Sequence, residues 1–443
     1  MRRPSAAATR VAAVTVLAAA SVAACGLTST GTPSTSSSAG PSGTPITVGF
    51  SEPLTGSFAI DGQASLKGYQ LWRDDVNAHG GLLGRPVKLV YLNDNSDPAT
   101  TARDYTKLIT QDHVDLTVGP FSSLLTEAAG PVAQRHGYAL VEGSGGAPKV
   151  YGMKLPGLFG VSAPVVDQMV PFANYVKSLP PGARPKTAAY AMVDDPFADP
   201  PVEEAQHILQ AAGVQTVYSN NPLPGATPPA ATAKLYEPDQ KTGAVPPAVL
   251  TAAANKLVTL HPAIVVIGSV DVPTVAAFIK VFVQRGFNPQ MIIAASGPDQ
   301  GQSFLNAVGT SNANGIMVPD GWFGSYSNAL SHVMVQEYVA KYGGTAADIN
   351  ADVAEAYSSG QVVADAVTSA GLNNSKIINF LHGLRQPLNT VQGPVQFNGV
   401  GENIKAATFI FQWQPADQFV QVLSSQGKPS VTIINPKKPW GSS

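Results

Sequence analysis

The sequence predicts an α/β protein built as two doubly wound, parallel-sheet lobes. Three observations carry that prediction. Short apolar strands alternate with helical stretches. The alternation comes as two series of roughly 120 residues each, the size of an ordinary domain. Most strands end in a loop of Ser, Gly and Asp.

The first series opens at Ile46 with "ITVGFSEP", a strand ended by Pro53. "ASLKGYQLWRDDVNAHGGL" is a helix, with Leu66, Tyr69, Gln70 and Val76 near one face and Gly80-Gly81 closing it. "PVKLVYLND" is a strand and "PATTARDYTKLITQD" a helix. "VDLTVGP" is a strand running into Ser122-Ser123, either of which can cap a helix carrying Leu124, Leu125, Ala128 and Ala129. Gly130-Pro131 is expected to interrupt that helix. "YALVEG" is the next strand. This repeated βα unit implies a parallel sheet with helices on its faces.

The rhythm restarts after "GLFGVSAP". "VDQMVPFANYVKSL" is a helix, "TAAYAMVDD" a strand, "PVEEAQHILQAAG" a helix and "VQTVYS" a strand. "LTAAANKLVTLHP", "AIVVIGS", "VPTVAAFIKVFVQRG" and "QMIIAASG" continue as helix, strand, helix and strand. Between them, residues 221–247 are proline-rich and aperiodic, which reads as a surface insertion in the second lobe. Near the end, "ADVAEAYSSGQVVADAVTSAG" is a helix. "VQGPVQFNGVGE", "KAATFIFQWQ" and "QFVQVLS" read as β-hairpin structure, so the sheet should finish with antiparallel strands.

Composition narrows the function. The chain has 443 residues, 44% of them hydrophobic and 13% charged, with a formal net charge of -2. That suits two packed cores and excludes disorder for most of the length. There is no basic patch to collect phosphates, so nucleic acid is not an expected partner. The sole Lys-rich spot is Lys437-Lys438 in a proline-flanked tail.

Residues 1–25 read as a targeting segment. Arg2, Arg3 and Arg10 precede the apolar run "VAAVTVLAAA", which is too short to span a bilayer. Small residues then lead to Cys25, the only cysteine, in "SVAAC". The pattern looks like a bacterial lipobox, in which Cys25 is lipidated; a plain secretory signal is the alternative. Arg2-Arg3 lacks the apolar residues that usually follow a twin-arginine signal. One cysteine means no intrachain disulfide. Residues 26–45 are Ser, Thr, Gly and Pro without apolar periodicity, a flexible tether reaching roughly 25 Å.

In open α/β sheets, ligands sit beyond the carboxyl ends of strands. The candidate loops are "EPLTGSFAIDG", "GPFSS", "EGSGGAP", "DDPFAD", "GSVDVP" and "SGPDQG". A strand delivering hydroxyls to a helix N-terminus at Ser122-Ser123 makes an anion site, because the backbone N–H groups there lack partners. A bare N-cap role for Ser122 is the competing reading. Catalytic patterns are missing. The seven histidines are scattered without metal spacing, so no metal is expected. There is no G-x-S-x-G elbow, no phosphate-binding GxxxxGK[ST] loop and no GxGxxG, so neither a catalytic residue nor a cofactor is assigned. Asp194-Asp195 reads as a turn and a solvated charge rather than an acid/base pair.

Three stretches together resemble a known family. They are "ITVGFSEPLTGSFAIDGQASLKGYQLWRDDVNAHGGLLGRPVKLVYLNDNSDP", "VGPFSSLLTEAAGPVAQRHGYALVEGSGGAP" and "GPVQFNGVGENIKAATFIFQWQ". In order and spacing, from about Ile46 to Trp440, they resemble the branched-chain amino acid type of ABC-transporter substrate-binding protein, with a type I periplasmic-binding-protein fold. The resemblance implies two lobes joined by a three-crossover hinge near Gly160–Pro164, Val318–Trp322 and Gly399–Ala406. Residues 46–162 and 320–398 would form lobe 1; residues 163–319 and 399–440 would form lobe 2.

The resemblance also implies site roles. Ser123, with Ser122 beside it, falls where a hydroxyl binds a ligand carboxylate. Ser144, Gly145 and Gly146 match a loop that offers backbone groups to the carboxylate and ammonium. Asp299 matches an acid that pairs with the ammonium, although it could instead cap the following helix. Phe197 matches an aromatic that covers the ligand. Ser57, Phe58 and Asp61 come from the first candidate loop. Gly146 stands where threonine is usual, Val270 where an aromatic often sits, and Asp61 where some members have tyrosine.

The expected protein is therefore an extracytoplasmic, lipid-anchored, monomeric binding protein on the outer face of the cytoplasmic membrane. It would capture an amino acid or related amine and deliver it to an ABC permease and ATPase complex. A sensor on the same scaffold, coupled to a membrane receptor or kinase, is the alternative; an enzyme would need a nucleophile or acid/base pair that the sequence does not show.

Overall fold

The computed structural model describes residues 40–223, 234–239, 243–326 and 328–442. Cys25, the targeting segment and the middle of the proline-rich insertion lie outside the described residues. Gly40–Ser443 form one compact unit with its own apolar cores.

The first half contains β1 (Ile46–Glu52), α1 (Ala59–Ala78), β2 (Val87–Asn93), α2 (Pro98–Thr110), β3 (Leu116–Val118), α3 (Ser123–Arg135), β4 (Leu140–Glu142), the short α4 (Pro148–Gly152) and β5 (Leu158–Gly160). Its five strands are parallel, in the order β2-β1-β3-β4-β5. Helices on both faces bury β1 along nearly its whole length, with Ile46, Val48 and Phe50 completely enclosed.

The second half runs through α5 (Val170–Ser178), β6 (Thr187–Met192), α6 (Pro200–Ala211), β7 (Gln215–Ser219), α7 (Pro247–Leu260), β8 (Ile264–Gly268), α8 (Val272–Arg285), β9 (Met291–Ala294), α9 (Gly301–Val308), α10 (Thr310–Ala313) and β10 (Ile316–Asp320). Then follow α11 (Ala329–Tyr342), α12 (Ala351–Ala370), α13 (Asn374–His382), β11 (Leu388–Thr390), β12 (Gly393–Val395), β13 (Phe409–Gln414) and β14 (Gln418–Leu423). The second sheet has seven strands in the order β14-β13-β10-β9-β8-β6-β7, and β13 and β14 pair antiparallel as expected from the sequence.

Helices α11 and α12 return to the first half, where Met334, Tyr338 and Val353 join the core around Trp72. The chain therefore passes between the sheets three times: between β5 and α5, between β10 and α11, and between β12 and β13. The first and third passages touch, with Gly160 N donating to Gly401 O at 2.9 Å and Asn403 Nδ2 to Val161 O at 2.7 Å.

Three local expectations are corrected. Gly130-Pro131 does not interrupt α3, which continues to Arg135. Proline removes one hydrogen bond, while Gly130 packs closely against Leu155, so packing holds the helix through. Asp195 is not solvated: it is buried and its Oδ1 accepts from Phe197 N at 2.8 Å. The proline-rich insertion is not purely superficial. Tyr236 bridges to Val193, is buried, and its hydroxyl lies 2.6 Å from that of Tyr218.

Candidate functional site

A cavity lies between the two sheets. The strand-end loops form most of its wall. Phe121 and Ser122 follow β3, Ser144 and Gly146 follow β4, and Ser162 follows β5. Phe197 follows β6, Ser296 and Asp299 follow β9, and Asp320 ends β10. Helix α12 adds Asp352 and Glu355.

Buried glutamates shape two of these loops. Glu52, the last residue of β1, accepts from Ser65 Oγ at 2.6 Å and from Phe121 N at 3.1 Å. Glu142, the last residue of β4, accepts from Gly145 N and from the Tyr151 hydroxyl. Burial raises both carboxyls, that of Glu142 to about 7. Each glutamate therefore spends its oxygens holding a loop.

Ser122 precedes α3 in the N-cap position, yet its side chain makes no capping bond. Its Oγ is buried without a partner on the cavity wall, and so is Thr408 Oγ1. Ser144 donates to Glu355 Oε2 at 2.6 Å, and Ser162 to Glu355 Oε1 at 2.8 Å. The Gly146 carbonyl accepts from Val165 N at 2.9 Å. A Cβ at Gly146 would lie 2.8 Å from Ala163 O, so this close backbone approach explains the absence of a side chain there.

Asp299 does not cap the next helix. Its Oδ1 accepts from Gly297 N at 2.6 Å, while the N-cap of α9 is Gln300. Burial raises the Asp299 carboxyl to about 6. Asp320, Asp352 and Glu355 are raised by burial as well, with Asp299 and Glu355 adding like charge against Asp320. Asp61 sits behind Asp352, accepts from Asn350 Nδ2 at 3.1 Å, and is raised by burial and then by the Asp299 charge. No Lys, Arg or His lines the cavity among the described residues. The carboxylates do not converge as a metal-ligand set among those residues either.

Of the residues singled out in the sequence, Ser122, Ser144, Gly146, Phe197 and Asp299 line this cavity. Ser123, Gly145 and Asp61 are buried behind it. Phe58 and Val270 instead line a neighbouring space, together with Val193 and Val245. Ser57 lies against Gly243 of the insertion. Sequence reasoning missed Asp320, Asp352, Glu355, Ser162 and Thr408. The spacing of Asp352 and Glu355, one turn apart on a helix, is the signal that could have drawn attention to them.

Two α/β halves with a polar cavity between them and a chain that crosses three times define the architecture of a two-lobed solute-binding protein. The chain belongs to the periplasmic binding protein family, whose pattern it matches over residues 45–428. That is a binding rather than a catalytic family, and it works outside the cytoplasm. The chain is 28% identical over 131 residues to an "Amino acid binding protein" of Pseudomonas aeruginosa, a match covering 30% of this chain and 35% of that one. It is 26% identical over 304 residues to "Leu/Ile/Val-binding protein homolog 8" of Brucella abortus, covering 66% of this chain and 68% of the relative. In fold it is similar to the branched-chain amino acid transporter substrate-binding protein LivJ of Streptococcus pneumoniae, solved with isoleucine. That likeness has a TM-score of 0.67 at 22% identity and covers 85% of this chain and 100% of the other. Among the described residues, no helix is long and apolar enough to cross a membrane.

Proposed function

We propose that this protein is a lipid-anchored, monomeric solute receptor that captures a small amine-containing molecule between its halves and delivers it to an ABC permease and ATPase complex. One observation carries the ligand assignment: Asp299 reaches a polar cavity whose wall holds further carboxylates and no basic side chain. A buried carboxylate without a cationic partner is costly, and a bound ammonium offsets that cost. Ser122, beside the free N–H groups of α3, offers the opposite end a hydroxyl suited to a carboxylate or polar group. Cys25 and the tether supply the anchor, and the relatives named above support an amino-acid-like solute.

The test is calorimetry on residues 40–443 with a panel of amino acids and amines, repeated with Asp299→Asn. A hydrogen bond to a charged group contributes ~1.5–3 kcal/mol, so the variant should bind amines about 10- to 150-fold more weakly. Thermal unfolding of the variant checks that it remains folded. A folded Asp299→Asn protein that binds amines as tightly as wild type would sink the assignment of a cationic nitrogen.

A further inference from the structure

We infer that the cavity is built for a small solute carrying two protonated nitrogens on a short chain, one facing Asp299 and Asp320 and the other facing Asp352 and Glu355. The inference rests on reading the cavity as a solute site, and it goes beyond a single ammonium.

The acids come from opposite halves of the molecule. Asp299 stands in the loop after β9 and Asp320 ends β10, both strands of the seven-stranded sheet. Asp352 and Glu355 stand on the first turns of α12, which packs against α1 in the other half. All four line one cavity, and none belongs to an ion pair among the described residues. Ser144 and Ser162 donate to Glu355, and Trp322 N donates to Asp320 Oδ1 at 3.1 Å. These donors are neutral, so they orient the carboxylates without cancelling charge. One ammonium beside Asp299 would leave the acids of α12 without a cation, and the reverse holds equally. A single metal ion does not resolve this, since the carboxylates do not gather around one point.

A second observation points to a ligand independently. Ser122 Oγ and Thr408 Oγ1 are unpartnered on the same wall, in residues only 2% and 5% exposed. Buried hydroxyls ordinarily find partners. Their oxygens can accept from ligand N–H groups, and their protons can go to a ligand carboxylate. The chemistry therefore suits a plain diamine or a diamino acid.

The experiment pairs each candidate with its one-nitrogen counterpart. Residues 40–443 are titrated calorimetrically at neutral pH with 1,4-diaminobutane against butylamine, and with ornithine against norvaline. The second nitrogen should tighten binding by about tenfold or more in at least one pair, the scale of one hydrogen bond to a charged group. A gain confined to the first pair identifies a diamine; a gain in the second identifies a diamino acid. Asp352→Asn should erase that gain, so that each two-nitrogen compound binds no more tightly than its one-nitrogen counterpart, with thermal unfolding showing the variant folded. If norvaline or butylamine binds as tightly as its partner in both pairs, the two-charge inference is lost while the solute-receptor reading stands. If no amine binds, both are lost. If Asp352→Asn weakens one- and two-nitrogen ligands equally, that acid only shapes the cavity and the inference fails.

Discussion

At the scale of single residues, the side chains that matter are those whose polar atoms are left over after local structure is satisfied. Ser122 occupies a capping position without capping, so its hydroxyl remains available to the cavity. Gly146 carries no side chain where the backbone of Ala163 passes close. Lys437 is a different kind of residue. In the sequence it belongs to the Lys-rich spot of a proline-flanked tail; in the structure it is buried, with Nζ donating to Asn288 Oδ1 at 3.0 Å and stacked 3.4 Å from the Trp440 ring centroid. Burial lowers its ammonium to about 7. The unfolded chain keeps that proton up to the ordinary lysine range, so the unfolded state binds more protons between about pH 7 and 10. Stability should therefore rise with pH across that interval. Lys437→Met should raise the melting temperature most at pH 7 and below, with the gain shrinking toward pH 10. A gain that does not change with pH would show that the lysine is not held in a desolvated site.

At the scale of elements, the packing of α1 on α12 is what brings Asp61 beside Asp352. The approach is close because glycines stand at the contact. Gly68 of α1 lies under the Val353 carbonyl, and Gly360 of α12 lies against the Trp72 ring. A methyl group at Gly360 would overlap the indole, which is fully enclosed and cannot swing away. Gly360→Ala should therefore cost about 1–3 kcal/mol despite its better helix propensity, measured by urea unfolding. A neutral or stabilising result would mean that the two helices are farther apart. The strands and helices of the two βα series were legible from periodicity because each has one local pattern. Strand β10 was not legible: Pro319 inside "IMVPD" argues against a central strand. The structure resolves this by pairing β10 with β9 only at Ile316 and Met317, leaving Pro319 beside antiparallel β13.

At the scale of the whole molecule, buried acids on both sides of the cleft make stability depend on pH in an unusual direction. Asp299 is raised to about 6, and Glu142 and Asp195 to about 7, chiefly by burial. Unfolded carboxyls release their protons near pH 4. Between about pH 4 and 7 the folded protein therefore holds more protons than the unfolded chain, so stability falls as pH rises. The ligand-free protein should melt at a higher temperature at pH 5 than at pH 7, and a tightly bound amine should reduce that difference. A melting temperature that climbs steadily from pH 5 to 7 without ligand would contradict the buried, unpaired state of these groups.

By itself, the sequence determined the two βα series, the strand-end loops and the family resemblance. These depend on residues close together in the chain, where hydrophobic period, glycine and proline act locally. It also pointed to Ser122, Ser144, Gly146, Phe197 and Asp299, each of which stands directly after a recognisable strand. Only the tertiary structure decided that Asp352 and Glu355 face the same space as Asp299, because that depends on a chain that crosses between sheets and returns α12 to α1. A helix pattern shows which side chains share a face, but not which distant loop that face meets. The charge of the cavity is set by that meeting, and so is the kind of molecule it can hold.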